Sequence, residues 1–87
     1  MSDRPEITPG EWITVGSTDC VVANVREHGH QFGDCEVVLN PLKPANCDAF
    51  WNGTEWSFVK TGDYGGYADR YQRLSQYVAI LKRGRYA

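Results

Sequence analysis

Short runs of β-forming residues, each closed by turn residues, make up most of the chain from residue 12 to residue 59. Glycine, serine, threonine and asparagine separate the runs, and the prolines Pro41 and Pro44 cannot donate the N–H that a strand ladder needs. The pattern therefore predicts short strands joined by tight turns. The three runs that precede the prolines are Trp12–Val15, Cys20–Val25 and Cys35–Leu39.

An Asn-Gly pair at residues 52 and 53 lies between two aromatic runs and predicts a β-hairpin with strands at 48–51 and 55–59. The signal is strong because a type I′ turn needs positive φ at both central residues. A two-residue turn pairs Trp51 with Thr54; a bulged or four-residue loop changes the partners, and the sequence leaves the register open. In the two-residue register Ala49 pairs with Trp56, and one face of the hairpin carries Ala49, Trp51, Trp56 and Phe58.

Residues 69–83 fit the period of a helix better than strict alternation. Asp69 with Gln72 resembles a capping box, and the chain from Lys82 to Gly84 has the cations and glycine typical of a helix C-terminus. Arg70 falls inside the apolar sector and Ile80 outside it, so the helix either begins a turn later or packs against two surfaces. The alternative is a sixth strand over residues 77–81. The predicted buried face is Tyr71, Leu74, Tyr77, Val78 and Leu81.

Five short strands with a closing helix predict an α+β fold that is mainly β: a small five-stranded antiparallel SH3-like barrel or bent sheet with a C-terminal helix. A flexible leader is expected over residues 1–10, with a single domain from 11 to 87. The run from GEWITVG through CEVVLNPLKP to FWNGTEWSFV resembles small SH3-like barrels of uncharacterised bacterial and phage proteins. This resemblance covers about residues 10–60. It implies a fold and carries no site residues.

Cysteine usage and hydropathy favour a cytoplasmic location. The three cysteines form no CxxC pair, and no apolar run exceeds five residues, so neither a signal peptide nor a membrane-spanning segment is predicted. Glycosylation of Asn52 is therefore not expected.

Charge is distributed unevenly: residues 1–66 carry ten acidic and four basic side chains, a net charge of −6, whereas residues 67–87 carry one acidic and five basic, a net charge of +4.

The polar residues include candidate zinc ligands but no evident catalytic set. Cys20, His28, His30 and Cys35 all carry zinc-binding atoms, but their spacing lacks CxxC knuckles, so we predict a metal-free loop and keep a zinc-binding domain as a lesser alternative. The glycines at 62–66 lack the lysine of a phosphate-binding loop, and no serine has an evident base and orienting group. The sequence predicts no enzyme, no cofactor and no small-molecule substrate.

Aromatic and basic residues near the C-terminus indicate a binding surface. Trp51, Trp56, Tyr64 and Tyr67 have the chemistry of a cation cage, although filling the core is the favoured role and exposure is expected mainly for the two tyrosines. We expect a non-enzymatic module that binds a protein partner. The alternative is a nucleic-acid-binding barrel that uses the basic helix, with weak affinity because the acidic body repels phosphate. The predicted partner-binding residues are Tyr64, Tyr67, Arg70, Arg73, Lys82, Arg83, Arg85 and Tyr86.

Overall fold

Five consecutive strands form a closed barrel in a computed structural model that describes residues 3–59 and 68–86. Each strand pairs antiparallel with the next one along the chain. Because five alternating strands leave the first and last pointing the same way, the barrel closes through a parallel contact between Val15 and Trp56, supported by a hydrogen bond from Gly16 N to Trp56 O (3.1 Å). The strands are β1 (Trp12–Val15), β2 (Thr18–Val25), β3 (Cys35–Leu39), β4 (Ala45–Trp51) and β5 (Trp56–Phe58).

The predicted mainly β fold, a five-stranded barrel with a C-terminal helix, is confirmed, and its sheet is mixed rather than wholly antiparallel. β2 and β4 begin earlier than predicted, at Thr18 and Ala45. For β4 the reason is local: Pro44 lies just outside the strand, and Leu39 already pairs with Ala45 across the turn. Proline in that turn ends one strand without delaying the next.

Alternate strand residues fill the barrel interior, where side chains from all five strands meet. Ile7 joins them from the segment before β1, and Gly10 N donates to Val22 O (2.7 Å). The described part of the predicted leader therefore packs on the barrel, because burying the Ile7 side chain in the core stabilises the fold more than leaving it in water. The buried interior set is Ile7, Ile13, Val15, Cys20, Val22, Cys35, Val37, Cys47, Ala49 and Trp56.

A helix covers the outer face of β2 and β3. This helix, α1 (Ser75–Arg83), follows two short 3-10 turns at Ala68–Arg70 and Gln72–Leu74. Its apolar side chains complete a second cluster, so the middle strands are buried on both faces, which explains the unbroken apolar run in β2. None of the described helices is long and apolar enough to cross a membrane. The buried residues of this outer cluster are Val21, Ala23, Val38, Ala68, Leu74, Val78 and Leu81.

The helical reading of the C-terminal segment is confirmed over Ser75–Arg83, and the alternative of a sixth strand is wrong. The α-helix begins six residues later than predicted, because Tyr71 has an extended backbone (φ −106°, ψ 112°) that separates the two 3-10 turns. Tyr71 was predicted to be buried and is instead exposed. The predicted stop is present: Gly84 has φ 91° and donates its N–H to Leu81 O (3.2 Å).

The hairpin at β4–β5 exists, but its two-residue register is wrong. Trp51 pairs with Trp56 across a four-residue turn. The Asn52 side chain explains the difference, because its Oδ1 accepts hydrogen bonds from Thr54 N (3.0 Å), Thr54 Oγ1 (3.0 Å) and Glu55 N (2.9 Å). Asn52 therefore shapes the turn with its side chain rather than with a positive φ, as asparagine commonly does. The predicted apolar face of Ala49, Trp51, Trp56 and Phe58 is retained.

Candidate functional site

The connection between β2 and β3 is organised around the buried carboxylate of Asp34. Its Oδ1 accepts from His28 Nδ1 (2.8 Å) and from Gly29 N (3.2 Å), and its Oδ2 accepts from Trp51 N (2.6 Å) on β4. Arg4 Nη1 lies 3.4 Å from Oδ1. Burial by itself raises the pKa of Asp34, but the hydrogen bonds from Trp51 N, His28 and Gly29 N outweigh it, and the net pKa lies below the usual 3.8. The carboxylate is therefore ionised at neutral pH.

Several backbone N–H groups of this loop donate to acceptors within the protein. Gly29 N donates to Asp34, His30 N donates to Glu27 O (3.0 Å), and Gly33 N donates to His30 O (2.9 Å). Phe32 N donates to His30 Nδ1 (3.1 Å). A glycine-containing loop often uses such amides to hold an external anion. Here the Gly29 amide donates to the Asp34 carboxylate, and the other three amides donate to backbone carbonyls or to the His30 ring.

Beside Asp34 lies a groove with a volume of about 280 Å³. Its wall from β4 includes Phe50, whose residue is 38% exposed. Phe32, 56% exposed, contacts the His30 ring at a centroid distance of 5.6 Å. Among the described residues that line the groove there is no lysine, arginine, serine, threonine or cysteine. The lining residues are His28, Gly29, His30, Gln31, Gly33, Asp34, Phe50, Trp51 and Val59.

Arg73, one of the predicted partner-binding residues, is engaged within the molecule. Its guanidinium donates to both oxygens of Glu36 (2.7 and 3.1 Å), and Asn46 Nδ2 also donates to Glu36 (3.0 Å). Glu36 lies on the outer face of β3 and is almost fully buried. Burial raises the pKa of Glu36, but the hydrogen bonds from Arg73 and Asn46 outweigh it, so the net pKa is lowered. Arg73 therefore fastens the segment before α1 to the barrel.

The remaining predicted binding residues are spread over the C-terminal segment. Arg85 Nη1 donates to Asp19 (2.7 Å) and to Thr14 Oγ1 (2.9 Å), which ties the chain end to the β1–β2 hairpin. Tyr86 is 87% exposed, with the Arg85 guanidinium 5.9 Å from its ring. Arg70, Lys82 and Arg83 are exposed. Tyr64 and Tyr67 lie outside the described residues.

The cysteines and histidines that suggested zinc occupy different environments. Burial raises the pKa of the Cys20 and Cys35 thiols to about 12 and that of Cys47 to about 11. All three thiols are free and lie inside the barrel. His28 is held by Asp34 instead. Within residues 3–59 and 68–86, no three potential ligands come together in a group that could hold a metal ion.

Sequence reasoning missed Asp34, Phe32 and Phe50. A phenylalanine in the polar loop HGHQFGD was one available signal, and the outward position of Phe50 between Ala49 and Trp51 follows from strand alternation. Trp56 was expected to fill the core, and this is confirmed: it is buried and meets Trp51 edge to face, with centroids 5.4 Å apart. Only the barrel topology brings the loop and β4 together.

No protein-family model, curated protein or solved structure matches this chain.

Proposed function

We propose that this chain is a small non-enzymatic interaction module that binds a segment of a protein partner in the groove beside Asp34. The observation that carries the proposal is the exposed ring of Phe50 in the wall of the groove; the more exposed Phe32 belongs to the β2–β3 loop, which supplies most of the other lining residues. Leaving a phenylalanine ring in water forgoes roughly 1.5–3 kcal/mol of burial free energy. Aromatic side chains at a well-supported concave site are typical of the residues that dominate binding at interfaces.

The geometry of the loop supports binding rather than catalysis. Asp34 orients His28 in the way that a carboxylate orients a catalytic base. The described lining, however, offers no hydroxyl, thiol or amine nucleophile, and the amides of Gly29, His30, Phe32 and Gly33 already donate to acceptors within the protein rather than to a bound oxyanion. We therefore propose that Asp34 and His28 shape a binding surface.

Nucleic-acid binding by the basic helix is the weaker candidate. Arg73 and Arg85, two of its five predicted cations, form ion pairs with Glu36 and Asp19. Cations already neutralised within the fold contribute less to phosphate contacts and counterion release. We propose a cytoplasmic location, in keeping with three unpaired buried thiols, and a relationship to SH3-like barrels, in keeping with the five-stranded topology.

The proposal is tested by selecting peptide ligands with the purified chain. A displayed library of random peptides is panned on the wild-type protein, and enriched peptides are measured against three variants by fluorescence anisotropy. Phe32→Ser and Phe50→Ser remove the exposed rings, whereas Leu42→Ser is the matched control, because Leu42 is 96% exposed on the β3–β4 turn and does not line the groove.

We expect the selected peptides to bind the wild type and Leu42→Ser with equal Kd. Loss of the Phe50 ring from the groove, or of the exposed Phe32 ring from the adjoining loop, should weaken binding at least about tenfold, the effect of roughly 1.4 kcal/mol at a hot spot. Circular dichroism checks that each variant is folded, as surface serines should allow. Peptides that bind all three variants equally, or a library that yields no enriched peptide, would refute the assignment of this groove.

A further inference from the structure

The chemistry of the groove indicates what it accepts. We propose that it takes a cationic side chain, lysine or arginine, from a basic segment of the partner. This inference rests on the proposed function and specifies the occupant of the same site. Three features of the described residues support it: a hydrogen-bond acceptor on His28, an exposed aromatic ring at Phe50 and a loop in which four backbone amides already donate within the protein.

The acceptor is Nε2 of His28. An ionised carboxylate can only accept, so the 2.8 Å contact with Asp34 places a proton on Nδ1 of His28. In the neutral ring the other nitrogen then carries a lone pair. The His28 side chain is 59% exposed and lines the groove, so Nε2 remains accessible to a donor such as a guanidinium or ammonium N–H.

The aromatic face is that of Phe50. A cation over an aromatic ring is attracted by the negative charge of the π face, and arginine also stacks on it. Among the described lining residues the Asp34 carboxylate is the one charged side chain when the imidazoles are neutral, and none of these residues is a lysine or an arginine. Arg4 offsets part of that charge from the N-terminal segment, at 3.4 Å. The groups facing the groove thus complement a cation.

The same loop is unsuited to phosphate or carboxylate ligands. Its amides at Gly29, His30, Phe32 and Gly33 already donate within the fold. An incoming anion would meet the lone pair of His28 and lie near the charge of Asp34. This separates the inferred ligand from the anions that glycine-containing loops commonly bind.

The test is a titration of the isotope-labelled chain, followed by NMR at about pH 8, where imidazoles are in general neutral. The probe is a capped pentapeptide with arginine between pairs of glycines, and its matched control carries citrulline, which has nearly the same shape without the charge. We expect the arginine peptide to shift the resonances of His28, Gly29 and Phe50. The citrulline peptide should bind about fivefold more weakly.

Two protein variants complete the design. Phe50→Leu keeps an apolar side chain but removes the aromatic face, and it should weaken arginine binding severalfold; Leu42→Ala should leave it unchanged. Equal binding of the two peptides, or shifts of the same resonances by inorganic phosphate alone, would overturn the inference. If selected peptides still require Phe50 while arginine and citrulline bind alike, the proposed function stands and only the cationic occupant is wrong.

A basic segment also exists in this chain, at Lys82 and Arg83. The groove resonances are therefore also followed as the protein concentration is raised without peptide. If they shift, and the double variant Lys82→Glu/Arg83→Glu abolishes the shift, the occupant is a second copy and the assignment to a separate partner is overturned. Resonances independent of protein concentration support a separate partner.

Discussion

Gly33 and Asp34 are adjacent in the chain and constrain the β2–β3 loop in different ways. Asp34 anchors the loop by accepting hydrogen bonds from it and from β4. Gly33 allows the approach: it has φ +109°, and a Cβ at this position would lie 2.8 Å from Ala49 O and 3.0 Å from Val59 Cγ2. Together they seat the loop against β4 and create the wall of the groove.

Gly33 and Gly53 have nearly the same φ but different surroundings. Comparing substitutions at these two positions therefore separates the cost of backbone strain from the cost of steric overlap. Gly53, at φ +103°, has no atom within 4 Å of the position of an added Cβ, unlike Gly33. We expect Gly53→Ala to lower the free energy of unfolding by about 1–2 kcal/mol through strain alone. Gly33→Ala should cost about 1–3 kcal/mol more, because β4 backbone must move. Urea denaturation measures both; equal losses would show that the loop can shift away from Ala49.

At the scale of single residues, prediction from the sequence succeeded where a local rule was sufficient. It failed where hydrogen bonds to a side chain, rather than backbone φ preferences, determined the turn. Strand alternation placed Trp51 and Trp56 on one face correctly. The Asn-Gly rule located the hairpin but left its register open; the two-residue alternative is wrong, because the Asn52 side chain accepts three hydrogen bonds inside a longer turn. Propensity rules describe φ preferences and do not contain this competition.

At the level of elements, α1 and β3 depend on each other. The outer face of β3 carries Val38 and the carboxylate of Glu36, and the segment leading into α1 covers both, with Leu74 in the apolar cluster and Arg73 on the carboxylate. The helical period predicted most of the apolar contacts. A late start of the helix was one of the two alternatives that Arg70 in the apolar sector left open. The contact of Arg73 with Glu36, 37 positions away in sequence, was not predictable, because no local pattern marks it.

Removing the guanidinium tests this coupling. We expect Arg73→Met to lower the free energy of unfolding at neutral pH by about 1–2 kcal/mol, a value reduced for solvent screening because the Arg73 side chain is 58% exposed. Glu36 has a lowered pKa in the fold, so its contribution is present above the usual value of 4.5 and is lost as the pH falls through the lower folded pKa. The difference between variant and wild type should therefore vanish in acid.

Arg83→Met serves as the control, because Arg83 is exposed at the end of α1 and should give a small change at every pH. Urea titrations at a series of pH values provide the measurement. A difference between Arg73→Met and wild type that persists unchanged at low pH would mean that Arg73 acts through packing of its aliphatic stem and not through Glu36.

On the scale of the whole molecule, the sequence predicted the number of strands, their order and the closing helix, all of which depend on local periodicity and turn residues. It did not predict that Ile7 enters the core or that the β2–β3 loop meets β4. Both are contacts between distant parts of the chain, fixed by barrel closure. The candidate groove also depends on contacts between distant parts of the chain, since neither Phe32 nor Phe50 marks a site on its own.

The three thiols inside the barrel report whether the molecule opens as one unit. Thiolates react with electrophilic dyes, and burial raises the pKa of all three cysteines to about 11 or 12, so the native chain should resist labelling at about pH 8. We expect no modification in native buffer and three modified cysteines in denaturant. A Leu42→Cys variant is the positive control, because that fully exposed position should react once and immediately.

At low denaturant all three native thiols should react at one common rate, that of global unfolding, because β2, β3 and β4 share one interior. Faster reaction of Cys47, the most exposed of the three at 8%, would show instead that β4 opens separately from the rest of the barrel.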